Sequence, residues 1–360
     1  MGTIITSNSL EYVTIFYKTL ERRLAEVAED HTLIKLLSLV DELYVEDEEK
    51  PASPGHPLGY SELVMLKVFI VMVLKKIKQF KTLHKFLAQN PTIRKACGLL
   101  SLPDRRTLGR RLKSFPPPSL KKQIPAWGRK LLDEGTGDAT VVAVDKSMCE
   151  ALGPQWHKKD RKRGEIPEGL RNVDVESEWG FSGYRGWVQG YAWHLVCSAS
   201  PGHLPIPLLA DAEPNNVIEN KVFDPMIAEL PQDTRRVLAD EGYDDQKLIH
   251  KVEMKARHGF KRRMLVPMEA YVNTPEWRLD YVEWYQSEKG QALYARRKIS
   301  VEPMFETLKN IFDHRRSWMK GLKNNQGIML LIVLCYQLLI YYNWKHDLNL
   351  SSVKVIVDGL

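Results

Sequence analysis

The amino-acid sequence predicts an α/β fold: a mixed sheet flanked by helices, preceded by an all-helical N-terminal region. Three observations carry this expectation. From residue 59 to 134 apolar residues recur with a helical period, most clearly in "YSELVMLKVFIVMVLKKI". At residue 139 the texture changes to β-branched runs, starting with "ATVVAVD", which is how a strand buried on both faces reads. Beyond it, strand-like segments come first in a group and then alternate with helices, an order that fits a mixed sheet rather than a regular doubly wound repeat.

Residues 1–58 read as an amphipathic helical lead-in, acidic towards its end, with the Pro- and Gly-bearing piece 51–58 as a linker. Residues 59–134 form the helical region, with Ser61 capping its first helix and Glu62 behind it. "LPDRRTLGRRLKSF" continues the helical pattern and "PPPSL" at 116–120 breaks it. Between Arg105 and Lys130 there are nine Lys or Arg and no acid. Such a face suits phosphate contact by a small helical DNA-binding module, with Arg105, Arg106, Arg110 and Arg111 as the leading residues; the plainer alternative is a solvated helix face. Residues 135–346 then form one α/β domain. Its strands are expected at "ATVVAVD", "GWVQGYAWHLVCSA", "LPIPLLADA", "RRVLAD" and "KRRMLVP", with helices over 219–230 and 245–257 and long helices to the end. The segment 154–188 is rich in charge and aromatics, a composition for backbone tracking and base stacking, or else for an ordinary surface loop. Residues 347–360 read as a C-terminal tail.

The chain has 360 residues, 44% of them apolar, enough for a sizeable core, and a net charge of +7. That excess favours a polyanionic partner, nucleic acid before anionic membrane. Cys97, Cys149, Cys197 and Cys335 are scattered without a C-x-x-C pair, so a reduced, intracellular setting is expected and a structural zinc site is not. No secretory signal is visible at "MGTIITSNSL". The most apolar stretch, residues 327–342, is shorter than the roughly 20 residues a spanning helix needs and is interrupted by Gln337, so it reads as a buried helix.

Carboxylates at strand ends are the candidates for chemistry. Asp145 ends the most apolar strand, and Asp240 ends "RRVLAD" before the turn-forming Gly242. Strand alternation puts Leu238 and Asp240 on one face and Glu241 on the other. Asp244 and Asp245 fall where the next helix starts, as caps. Two aspartates at neighbouring strand ends suit Mg²⁺, a hard ion that prefers carboxylate oxygen. In "KISVEPMFETLKNIF", Glu302, Glu306 and Lys309 share one helical face, so a carboxylate and a lysine could serve a metal and a phosphate together. The set Asp145, Asp240, Glu302 is what two-metal phosphoryl transfer requires; three unrelated acids is the alternative, and Glu306 is the rival for the third place.

Four stretches, "VVAVDKS", "VLADEGYDD", "SVEPMFETLKN" and "RRSWMKGLKNNQGIMLLIVLCYQLLIYYNW", together with the N-terminal "LGYSELVMLKVFIVMVL", "LHKFLAQNPTIRKACGL" and "LPDRRTLGRRLKSF", give the chain a known likeness. In their order and intervals it resembles bacterial insertion-sequence transposases of the DDE type, which have a ribonuclease H-like core behind a helical DNA-binding region. The resemblance implies that Asp145, Asp240 and Glu302 are the metal-binding catalytic triad. Asp240 lies 95 residues after Asp145, and Glu302 follows 62 later, a gap too short for a large inserted domain. Part of that family carries a Tyr-x2-Arg-x3-Glu-x6-Lys signature. Glu302 and Lys309 keep its last interval, and Tyr294 and Arg297 keep their mutual spacing. Arg297 is one residue too far from Glu302, however, and Lys298 stands where the Arg is expected. Two further departures are Glu241 directly after Asp240, and Pro303 after Glu302, which places Glu302 at the mouth of its helix.

The resemblance further implies two Mg²⁺ (or Mn²⁺) ions per site. It implies double-stranded DNA as partner, both the terminal inverted repeats and the target, with a homodimer assembled on it. It implies cleavage at the element's ends and joining of the 3′-hydroxyl to target DNA, with Lys146, Tyr294, Arg297, Lys298 and Lys309 contacting DNA near the acids. The expected location is the bacterial cytoplasm, at the nucleoid, and no membrane is involved. A non-enzymatic DNA-binding protein descended from a transposase, or a metal-dependent nuclease without strand transfer, are the other readings. Trp179, Trp187 and Trp318 are candidates for stacking on a displaced base, against a role in the core.

Overall fold

The computed structural model describes residues 31–46, 59–115, 117–254 and 262–360. Most of the lead-in, the linker at 51–58 and the end of the helix expected at 245–257 lie outside the described residues.

Among the described residues, six helices precede the sheet: α1 (Thr32–Leu43), α2 (Glu62–Leu74), α3 (Phe80–Gln89), α4 (Pro91–Ala96), α5 (Arg105–Ser114) and α6 (Pro117–Asp133). Ser61 Oγ accepts from Val64 N at 3.2 Å and opens α2. Every residue of α2 from Met65 to Leu74 is buried, so a helix apolar all round becomes an interior element. In α5, Asp104 caps Arg106 N at 2.7 Å, Leu108 and Leu112 face inward, and Arg105, Arg106 and Arg110 are exposed.

The sheet has six strands: β1 (Val141–Glu150), β2 (Glu178–Ser182), β3 (Gly186–Ser198), β4 (Pro207–Pro214), β5 (Arg236–Leu238) and β6 (Arg263–Leu265). β3 runs antiparallel to β1, β2 and β4; β5 runs parallel to β1, and β6 parallel to β5. Three antiparallel strands followed by two parallel ones, spatially β4-β3-β1-β5-β6, is the ribonuclease H-like arrangement, to which β2 adds a hairpin arm. That arm and a short helix, α7 (Lys158–Arg163), organise the segment expected as a loop over 154–188.

The remaining helices are α8 (Glu219–Met226), α9 (Gln246–Met254), α10 (Glu276–Gln286), α11 (Glu288–Tyr294), α12 (Val301–Ile311), α13 (Leu322–Lys345) and α14 (Val353–Gly359). Neighbouring residues of a strand point to opposite faces. Ser147 of β1 meets Lys309 of α12 while Lys146 meets Glu219 of α8, so α12 and α8 flank opposite faces of the sheet.

α13 is the one helix among the described residues long and apolar enough to cross a membrane, yet 94% of its apolar window is buried inside the protein. It packs on α2, α5, α6 and β4. Gln337, the residue that interrupts the run, donates to Ile124 O (2.9 Å) and Pro207 O (2.7 Å), tying α13 to α6 and β4 at once. All four cysteines are buried and free. The expected tail is folded: α14 buries Val353 and Val357, and Lys76 pairs with Asp358 at 3.1 Å.

Candidate active site

β1 and β5 pair only from Val141 to Ala143. Past Leu238 the β5 chain turns away, while β1 continues to Glu150 against β3 alone. A notch therefore opens beside β1 from its fourth residue on, and Asp145 stands in it. Asp240 lies just past β5, where it caps the short 3₁₀ turn Glu241–Tyr243 with Oδ1 accepting from Gly242 N at 3.1 Å. The extended strand expected to reach Asp240 stops at Leu238, so side-chain alternation does not decide where Asp240 and Glu241 point. Glu302 sits in the first turn of α12, which begins at Val301 and takes Pro303 into that first turn, where a missing N–H costs nothing.

These three carboxylates line one cleft of about 960 Å³, with Lys146, Ser147, Glu219, Phe305, Glu306 and Lys309 among its other walls. Burial raises the Asp145 carboxyl to a pKa of about 6, even though the Arg297 guanidinium opposes the shift; Asp240 and Glu302 add to it. Asp240 is raised in the same direction, first by desolvation and, against Arg297, by the nearby Glu219.

Arg297 is 5% exposed and lies between two of the acids, 3.2 Å from Asp145 Oδ2 and 4.0 Å from Glu302 Oε1. Its Nη1 donates to Tyr294 Oη at 2.9 Å. The signature offset noted in the sequence is absorbed locally. Residues Ala295–Ile299 form a 3₁₀ turn and Ser300 has a non-helical backbone, so Arg297 is carried inward while Lys298 is left exposed on the outside. Lys309 is also 5% exposed; its Nζ donates to Ser147 Oγ at 2.6 Å and Met148 O at 3.4 Å, which fixes its head at the cleft wall. Glu306, the rival acid, is engaged by Arg315 at 2.8 Å and Lys309 at 3.9 Å.

Other expectations fall differently. Lys146 is ion-paired with Glu219, on the opposite face of β1 from Lys309. Arg111 turns inward and donates to Tyr60 O at 3.1 Å, unlike its exposed neighbours Arg105, Arg106 and Arg110. Asp245 caps α9 as expected, accepting from Leu248 N at 2.9 Å, but Asp244 is not a cap: it holds Arg278 through both oxygens, at 2.9 and 2.5 Å. Trp318 is buried and Trp179 donates to Trp156 O, whereas Trp187 is exposed. Glu219 is the cleft residue that sequence reasoning missed. The start of its helix at 219 was legible, but its proximity to Asp240 depends on tertiary packing: Phe223 of α8 meets Tyr243 in the turn after β5 edge to face, at 5.9 Å.

The donor set fits a hard divalent cation. The residues lining the cleft include Asp145, Asp240, Glu302 and Glu219 but no Cys and no His, a set of carboxylate oxygens. Among the described residues no three such groups form a closed ligand set, and Arg297 stands between Asp145 and Glu302.

A second groove, of about 1010 Å³, runs between α5 and the start of α13. Phe80, Trp318 and Met319 contribute its apolar surface, and Lys78, Arg106, Arg110, Lys113, Lys320 and Lys323 its charge, with no acid among the lining residues.

Comparison with known proteins bears on the whole arrangement. Residues 136–338 match the model of the transposase DDE domain, and residues 21–114 that of the transposase domain DUF772. No curated protein matches the chain. A piggyBac transposase synaptic complex with hairpin DNA is similar at a TM-score of 0.34 and 8% identity, over 92% of this chain and 77% of that one, too loosely to carry an argument. The first match alone spans more than half of the sequence and takes in the sheet, both strand-end aspartates and α12: the chain belongs to the transposase DDE domain family.

Proposed function

We propose that this protein is a DDE transposase that binds the terminal inverted repeats of its own mobile element, cleaves the phosphodiester backbone there and joins the 3′-hydroxyl to target DNA. The observation that carries the reading is the convergence of Asp145, Asp240 and Glu302, from three separate elements, on one cleft that Lys309 also lines, with the buried Arg297 paired to Asp145 beside it. Those three carboxylates would hold Mg²⁺ or Mn²⁺, two ions per site. Divalent ions so placed lower the pKa of an attacking water or 3′-hydroxyl and stabilise the leaving oxygen.

The protein's own groups do the rest. Lys309, braced on Ser147 and Met148, has a proton left to offer a phosphate oxygen entering the cleft. Arg297 orients the Asp145 carboxylate and partly offsets the desolvation that favours its protonation. Arg106 and Arg110, in the second groove, contact the backbone of the same DNA further along. Double-stranded DNA is the partner, a homodimer forms on it to bring two ends together, and the bacterial cytoplasm, at the nucleoid, is where it acts.

The test is incubation of the protein with supercoiled DNA carrying the cognate ends and Mg²⁺ or Mn²⁺, beside Asp240→Asn. Cleaved and joined products from the wild type alone are expected. No cut product would sink the enzymatic reading, and cutting without joining would leave a nuclease.

A further inference from the structure

β2 and β3 form a hairpin whose tip is Gly183-Tyr184-Arg185, a three-residue loop followed by Gly186 at φ 72°, the left-handed residue such loops need. The tip reaches the catalytic cleft, where Phe181, Tyr184 and Arg185 are part of the wall. Three large aromatics on this arm are open to solvent: Tyr184 is 98% exposed, Phe181 61% and Trp187 54%. Phe181 and Trp187 are directly opposite across the two strands, with ring centroids 5.4 Å apart, edge to face. On the far side Trp187 lines a second pocket of about 420 Å³ together with Trp179, His157, Lys158, Lys159 and Lys162, and Lys158 Nζ lies 3.3 Å from the Trp187 ring centre.

The arm is held in place. Arg185 pairs with Glu150 and donates to Met148 O at 3.3 Å, pinning the tip to β1 beyond Asp145. Arg161 binds Glu178 through Nε at 3.0 Å and Nη2 at 2.5 Å, pinning α7 to β2. Exposed apolar surface on a braced arm is costly unless something covers it. Aromatic faces interleaved with lysines, next to a cleft of phosphodiester chemistry, match one ligand class, the flat bases and charged backbone of unpaired nucleic acid.

We propose that the β2–β3 hairpin is a stacking platform for unpaired bases of the DNA strand leaving the catalytic cleft. Tyr184, Phe181 and Trp187 offer the stacking faces, and Lys158, Lys159 and Lys162 meet the phosphates. The proposal rests on the reading of the cleft as one that acts on DNA, and its test needs no catalysis.

The full chain is titrated, without divalent metal, with a fully paired duplex and with the same duplex bearing a short unpaired tail that contains 2-aminopurine. The wild type should bind the tailed duplex more tightly and quench the 2-aminopurine. Tyr184→Ala and Phe181→Ala/Trp187→Ala should each lower tailed-duplex affinity about tenfold or more, leave the paired duplex unchanged and lose the quenching. Tyr184→Phe should restore both. Equal wild-type affinity for the two DNAs, or a preference that survives in the alanine variants, would overturn the platform. So would concentration-dependent self-association that disappears in those variants with no preference for unpaired DNA. Because these residues are exposed, thermal melts of the variants should match the wild type. Failure of metal-dependent cleavage would sink the catalytic reading and leave this binding preference still measurable.

Discussion

Arg297 is buried and the Asp145 side chain is only 16% exposed, so an unpaired charge on either would be costly, and at 3.2 Å each supplies what the other lacks. Lys298, one residue on, points to solvent. Arg297→Ala should therefore lower DNA cleavage about 100-fold or more, the scale seen when an active-site donor is removed. Lys298→Ala should leave the rate within a few-fold; a larger fall for Lys298 would reverse the assignment of the two. Glu241, the acid that breaks the family pattern, is exposed and outside the cleft wall. Glu241→Lys should keep wild-type cleavage, measured on the same DNA. Asp145 has a consequence for pH. Its folded-state value, about 6, lies above its ordinary 3.8, so in that interval the folded chain holds a proton that the unfolded chain has released. Its contribution to metal-free stability thus rises as pH falls through 6 towards 3.8, and above 6 the buried charge is a full cost. Urea melts on either side of pH 6 should show this slope as the difference between wild type and Asp145→Asn; identical slopes would remove Asp145 as its origin.

At the scale of elements, close approach and buried polar groups set the tolerances. A Cβ on Gly190 would lie 1.9 Å from Cys149 O, inside the β1–β3 ladder that carries Asp145. Gly190→Ala should destabilise the fold by about 1–3 kcal/mol, the usual cost of overpacking, and cleavage should fall with the shifted strand. Gln337→Leu removes two buried hydrogen bonds, to Ile124 O and Pro207 O, at about 1–3 kcal/mol in all. Equilibrium unfolding of the two variants checks both. These elements also mark what the sequence made legible. Asp145 and Asp240 stood out because an apolar β-branched run ending in an acid is rare chemistry, a local signal. A helical period put Glu302, Glu306 and Lys309 on one face, and only the family resemblance chose Glu302 over Glu306. Arg297 could not be placed by spacing, because a 3₁₀ turn changes the rise and rotation per residue, and only the folded turn shows which of two adjacent cations goes inward. Glu219 was hidden for another reason: it reaches the cleft through tertiary packing of α8 against β1 and the turn after β5. The tail at 347–360 gave no periodic signal over its seven-residue helix, although Val353 and Val357 anchor it.

Across the whole molecule, the N-terminal helices and the sheet share one hydrophobic core, joined by α13, so the basic groove and the carboxylate-lined cleft are held by a common scaffold. Glu150 and Arg316, at the cleft, are bridged backbone to backbone, and two residues on Trp318 lines the groove. DNA occupying both sites would have its phosphates neutralised at α5 while its scissile bond lies near Asp145. For every duplex phosphate that a side chain no longer neutralises, the salt dependence of binding falls by about one unit of log–log slope. Arg106→Ala/Arg110→Ala should reduce that slope by about two and weaken binding to long duplexes, without altering the thermal melt, since both side chains are exposed. The diagnostic comparison is duplex length. On DNA too short to reach from the cleft to α5, the double variant should bind and cut as the wild type does; on long DNA it should fall behind, and by less as salt is raised. Equal deficits on short and long DNA would mean that α5 does not contact the flanking duplex, and that the groove and the cleft serve different molecules.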